Sequence, residues 1–197
     1  MKLGDDHPST LTSINNLALT FWNQGRWEEA EKLQVQVIET SKTKLSEDHP
    51  TTLTNMANLA TTYTSQGRLE EAVKLQVQVM ETSKTKLGED HPDTLTSMAN
   101  LASTLWNQGR WEETEKLEVQ VMDFRKMKLG DDHPNTLASM ANLAFTWKFS
   151  GRNADAIDLL LACLAKQNKV LGPNHPETLS NLEALLEWET EGLNMNA

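Results

Sequence analysis

The sequence repeats itself with a fixed step of 42 residues. His-Pro stands at 7–8, 49–50, 91–92, 133–134 and 175–176, and Gly-Arg at 25–26, 67–68, 109–110 and 151–152. Residues 7–48 and 91–132, aligned without gaps, are identical at 28 of 42 positions. A period of this length marks an array in which each unit is too small to bury its own apolar faces and must stack on its neighbours. Four full repeats follow, at about 7–48, 49–90, 91–132 and 133–174, and then a partial fifth at 175–191.

Each repeat reads as two helices. In the third, Leu95, Met98, Leu101, Ala102 and Leu105 keep the spacing of an amphipathic helix with one buried stripe, from about Pro92 to Gln108. Pro92 suits a first helical turn, His91 or Asp90 is the expected cap, and Gly109 supplies the left-handed residue that ends the helix. A second helix spans about Trp111 to Leu129, with Thr114, Leu117, Val121 and Met122 on one face. Glu112 and Glu113 open it and Lys126 and Lys128 close it, as the helix dipole favours. Nothing in the unit resembles a strand. The last helix, about Pro176 to Glu191, keeps Leu179, Leu182 and Leu185 among many glutamates and is expected to be a polar cap. The chain opens inside a boundary motif, Leu3 to Pro8, with Leu17 and Phe21 apolar and no cap before them. The expectation is a C-terminal fragment of a longer protein or one end of a longer array. The expected fold is all-α, with nine helices in one solenoid domain over 1–197.

Composition narrows the function. No apolar run approaches the ~20 residues that cross a bilayer, and the N-terminus lacks the apolar core of a secretory signal. The formal charge of −10 argues against a nucleic-acid or anionic-membrane partner. A single cysteine, Cys163, fits a reducing, cytoplasmic setting. It falls where other copies place Val37, Val79 and Val121, so it reads as a small buried residue. The histidines recur one repeat apart, roughly 10 Å at ordinary helix spacing, and cannot converge on one metal ion. No nucleophile–base pair, phosphate loop or metal cluster is evident, so neither enzyme activity nor a cofactor is expected.

Several strings now carry a resemblance: Asn-Leu-Ala, Gln-Gly-Arg-Trp-Glu-Glu-Ala, Lys-Leu, and Leu-Gly-Glu-Asp-His-Pro-Asp-Thr-Leu. Over about residues 3–186 they resemble the 42-residue tetratricopeptide repeat (TPR) of kinesin light chains. The near-identity of the units resembles the arrays that end fungal NACHT- or NB-ARC-containing NOD-like receptors, where repeats act as the sensing part of a signalling NTPase. No Gly-x-x-x-x-Gly-Lys-Ser/Thr motif is present. The resemblance implies a right-handed superhelix whose first, or A, helices line a concave groove. The second helix of each repeat is its B helix.

The resemblance places Asn16, Asn58, Asn100 and Asn142 on that inner face, as an amide ladder able to hold an extended peptide backbone. The same amides could instead bond neighbouring A helices. One turn earlier stand Thr12, Thr54, Thr96 and Ala138, where carboxylate-gripping clamps carry lysine, so a carboxylate clamp is not expected. Three groove positions vary among near-copies: Leu19/Thr61/Ser103/Phe145, Trp22/Thr64/Trp106/Lys148 and Asn23/Ser65/Asn107/Phe149. Their variation reads as recognition of partner side chains, with drift as the alternative. Trp22 and Trp106 are groove anchors or inter-repeat packing, Trp27 and Trp111 are core, and Glu28, Glu29, Glu70, Glu71, Glu112 and Glu113 are solvated helix starts. The function this implies is binding of a protein or extended peptide. The alternative is a scaffold that self-associates through its uncapped N-terminal repeat.

Overall fold

The computed structural model describes residues 8–195; His7 and the boundary motif at 3–7 lie outside the described residues. Among those described there are nine α-helices and no strand: α1 (Pro8–Asn23), α2 (Trp27–Lys44), α3 (Pro50–Ser65), α4 (Leu69–Leu87), α5 (Pro92–Asn107), α6 (Trp111–Leu129), α7 (Pro134–Phe149), α8 (Asn153–Val170) and α9 (Pro176–Met195). Odd-numbered helices are A helices, and even-numbered ones are B helices. The chain forms two compact units, residues 1–108 and 109–197.

Both helix starts and stops follow from the repeated residues. The imidazole Nδ1 of His49, His91, His133 and His175 accepts the backbone N–H two residues on, at 3.1–3.3 Å, with proline in the first turn behind it. Histidine is thus the N-cap of the A helices. At the A–B turn, Gly67 takes φ +77°, and the Arg68 N–H reaches back to the Tyr63 carbonyl at 2.9 Å, closing the helix end. The arginine side chain then folds over the ring of the preceding A helix. Arg26 lies on Phe21, Arg68 on Tyr63 and Arg152 on Trp147, at 4.1–4.3 Å from the ring centroid. Each also pairs with a carboxylate three residues on: Glu29, Glu71 and Asp155. Arg110 does the same with Glu113. Glu29, Glu71 and Glu113, expected to be solvated helix starts, stay solvent-accessible in the first turn and also form half of a turn staple.

At the B–A turn three repeats use glycine: Gly88, Gly130 and Gly172, at φ +99°, +93° and +92°. With ψ 161° at Gly88, this is backbone that only glycine adopts without strain. The first repeat has Ser46 there, at φ +150°. Ser46→Gly is therefore expected to stabilise the protein by about 1 kcal/mol. Relieved strain of ~1–3 kcal/mol is partly offset by losing the 2.5 Å Ser46–Asp48 hydrogen bond. A thermal melt that falls or stays level would contradict the strain.

In unit 1 the core runs along α2, α3 and α4: Ile38, Leu53, Met56, Leu59 and Val79. The α5 stripe Leu95, Met98, Leu101, Ala102 and Leu105 is buried as its spacing indicates. In unit 2 the core is Leu137, Ala144, Leu160, Cys163 and Leu164, joined by Leu185 and Trp188 of α9. Cys163 is fully buried and donates to the Leu137 carbonyl at 3.2 Å; burial pushes its thiol up to about 11. Trp27 and Trp111, expected in the core, are half-buried. Trp111 instead stacks on Phe149 with ring centroids 5.7 Å apart.

The glutamates of the last helix are exposed, and so are most of its leucines. Its buried residues are Thr178, Asn181, Leu185 and Trp188, while Leu179 and Leu182 are exposed along with Leu186. Two of the three leucines that the helix keeps, Leu179 and Leu182, are thus exposed. They occupy the positions at which an A helix normally meets its own B helix.

Candidate functional site

The four asparagines all lie on A helices. Asn16, Asn100 and Asn142 are exposed, and Asn58 is half-buried. Among the described residues none of their side-chain amides has a hydrogen-bond partner in the chain. Only backbone carbonyls in this set accept, from Thr20, Thr62 and Thr104 one turn on.

In unit 1 the amides stand over two cavities. Asn58 and Asn100 line one of about 300 Å³, with Leu53, Ala57 and Val79 lining it as well and Thr54 and Thr96 beside the amides. An ion pair between Lys86 and Asp48 lies at the same cavity. A smaller one, about 110 Å³, is lined by Asn16, Leu19, Trp22, Asn58 and Thr61 with Gln34. The A helices that carry these residues are almost free of charge. α1 and α3 contain no charged residue, and α5 contains only Asp93. In unit 2, Asn142 lines a cavity of about 400 Å³ with Ser180, Asn181 and Gln167.

The variable positions divide. Leu19, Asn23, Thr61, Ser103 and Asn107 are exposed. Thr61 donates to the Ala57 carbonyl and Asn107 to that of Ser103, bonds within their own helices. Trp22 is half-buried, and its indole N–H donates to Ser65 Oγ at 3.1 Å, so both residues serve packing between repeats. Thr64 donates to the Ala60 carbonyl, with the Thr104 hydroxyl 3.4 Å away. Trp106 is likewise half-buried and engaged. In unit 2 the capping helix takes two candidates: Phe145 packs edge-to-face on Trp188 at 5.0 Å, and Lys148 pairs with Glu191 at 2.9 Å. Phe149 is exposed beyond its stack on Trp111.

A second polar column escaped the sequence reading. Gln34, Gln76 and Glu118 sit in register on the buried stripe of the B helices. Gln34 accepts from the Thr62 hydroxyl at 2.8 Å and lines the smaller cavity beneath Asn16 and Asn58. Glu118 is only 9% exposed, its Oε2 has no partner, and burial pushes its carboxyl up to about 7. In unit 2 the Asn181 amide donates to buried Gln167 at 3.0 Å. The signal was available: a polar residue returning every 42 positions inside an otherwise small or apolar stripe.

Stacked helix pairs repeated every 42 residues, with uncharged amides lining cavities on the A helices, define a helical-repeat module. Models of the tetratricopeptide repeat match residues 9–85, 51–127 and 136–177. The chain belongs to the tetratricopeptide repeat family. It is similar to the crystal structure of nearly identical TPR-like repeats from a kinesin light chain-like protein of Podosopora anserina. The two are 31% identical with a TM-score of 0.83, covering 96% of this chain and 90% of that one. A variant of that same Podosopora anserina protein is 30% identical with a TM-score of 0.84, over 99% and 92%. BtubC (BKLC) from P. vanneervenii shares the fold at 19% identity and TM-score 0.77, over 92% and 74%. No curated sequence matches the chain.

Proposed function

We propose that residues 1–197 act as one module that binds an extended segment of a partner protein along its A helices. The amides of Asn16, Asn58, Asn100 and Asn142 pair with the partner's backbone. The observation that supports this most is the pair Asn58 and Asn100, lining one cavity with no hydrogen-bond partner of their own. An amide both donates and accepts, which suits a peptide bond of any sequence. Exposed positions such as Leu19, Thr61 and Ser103 then read side chains. The near-absence of charge on α1, α3 and α5 favours a neutral backbone over a phosphate or carboxylate as the recognised group. Affinity is accordingly expected to depend weakly on salt.

The near-identity of the repeats supports placing the module as the sensing array of a larger cytoplasmic signalling NTPase of the NACHT or NB-ARC type, with no catalysis of its own. One observation favours a second reading. Leu17 is 45% exposed, while its counterparts Leu59, Leu101 and Leu143 are buried. This apolar end could join copies into a scaffold, and mass measured against concentration separates the two.

The test of the main reading is Asn58→Ala with Asn100→Ala. Losing two hydrogen bonds, each worth ~0.5–1.5 kcal/mol net, should weaken a selected peptide by about one to two orders of magnitude. Melting should be unchanged, and Glu81→Lys on exposed α4 serves as the control.

A further inference from the structure

The exposed leucines of α9 form a defined face. Leu179, Leu182 and Leu186 are 48%, 43% and 54% exposed and share one side of the helix by the i, i+3, i+7 spacing. Three repeats earlier the same positions are Leu53, Met56 and Ala60 of α3, at 7%, 1% and 0% exposure. On α7 they are Leu137, Met140 and Ala144, the first and last fully buried. In both places a B helix covers them. On α3 it is α4, with Val79 in the shared core; on α7 it is α8, through Ala156, Leu160 and Cys163. The face of α9 therefore has the form that accepts a B-type helix, seen twice over within this molecule.

Its rim differs from theirs. α9 carries Glu177, Glu183, Glu187, Glu189 and Glu191 and no basic residue. The helical period sets Glu183 and Glu187 along one border of the leucine face and Glu189 along the other. The α3 counterparts of these three are Ala57, Thr61 and Tyr63, and none of the three is charged. A helix docking here meets leucine at its centre and carboxylates on both sides.

We infer that the Leu179–Leu182–Leu186 face of α9 docks a basic amphipathic helix of another protein, in the place that α4 takes on α3. Apolar complementarity follows from the in-register faces, and the glutamate rim selects lysine and arginine at the partner's borders. The site is separate from the amide ladder, so either can fail without the other.

The probe is a helical peptide with the sequence of residues 68–88, made in two forms. The basic form carries Glu70→Lys, Glu71→Lys and Glu81→Lys; the acidic form carries Lys74→Glu, Lys84→Glu and Lys86→Glu. Fluorescence anisotropy on the full chain should show the basic form binding at least about tenfold tighter, with the preference shrinking in high salt. Leu182→Asp with Leu186→Asp should remove binding without lowering the melting temperature, because both side chains are exposed. Glu183→Lys with Glu187→Lys should reverse the preference between the two peptides. Absence of binding, equal binding of the two forms, or binding indifferent to the leucine pair overturns the inference. So does a dimer of the free chain that the leucine pair dissolves, since a second copy would then be the occupant.

Discussion

Trp188→Ala should be the most damaging single substitution in this protein. The indole is 6% exposed, packs edge-to-face on Phe145 and joins Leu137, Ala144, Leu160 and Leu185 in the core of unit 2. Truncating a buried tryptophan typically costs ~3–5 kcal/mol, from lost burial and the cavity left behind. For a chain of this size that corresponds to a fall in Tm of roughly 6–20 °C, with α9 released first. Leu186→Ala, two residues away on the same helix and 54% exposed, should change stability by less than ~0.5 kcal/mol. Circular dichroism melts of the two variants measure the contrast. Similar losses from both would mean that α9 is not seated by Trp188.

The second large effect depends on pH. Burial pushes the Glu118 carboxyl up to about 7 from an ordinary 4.5. Neighbouring Glu115 adds to the rise, and the Thr146 hydroxyl opposes it without a full hydrogen bond. The folded state therefore binds this proton more tightly than the unfolded chain. Its contribution to stability is complete below about 4.5, falls as pH rises, and is gone above about 7. Glu118→Gln supplies the residue that two other repeats already use and that, as Gln34, accepts from a threonine hydroxyl at 2.8 Å. At pH 8 it is expected to stabilise on the order of 2–3 kcal/mol, and near pH 5 little. Denaturant melts at the two pH values give the answer; equal gains at both would mean that the carboxyl does not titrate in this range.

The elements were legible because each boundary is written four times. Histidine-proline starts, glycine-arginine stops and the α5 stripe from Leu95 to Leu105 all stand where their spacing puts them. Exposure was harder to read, since it depends on the neighbour rather than on the residue. Leu17 and Leu59 sit in the same Asn-Leu-Ala string, yet only the second is covered. Leu182 likewise lies where Met56 does, but nothing in the described chain packs on it. Trp22 read equally as a groove anchor or as inter-repeat packing, and its indole bonds Ser65 in the next repeat, a contact that no single repeat encodes. Lys148 and Phe145 looked variable for recognition, and the structure gives both to the capping helix. Gln34 was harder to see because a polar residue on a B helix looks like surface until its recurrence at Gln76 and Glu118 is noticed.

The measurement that bears most directly on the amide ladder is an ester scan of the bound segment. A peptide is selected on the chain from a random display library, and its backbone amides are replaced one at a time by esters, which lose the N–H donor. If Asn58 and Asn100 hold the backbone, the esters facing them weaken binding to the wild-type chain by roughly three- to tenfold, one hydrogen bond's worth. The same esters should make no further difference to the Asn58→Ala, Asn100→Ala chain, because the partner group is already gone. Losses that add independently in the variant would contradict the account. So would an asparagine pair whose removal lowers the melting temperature and leaves affinity untouched.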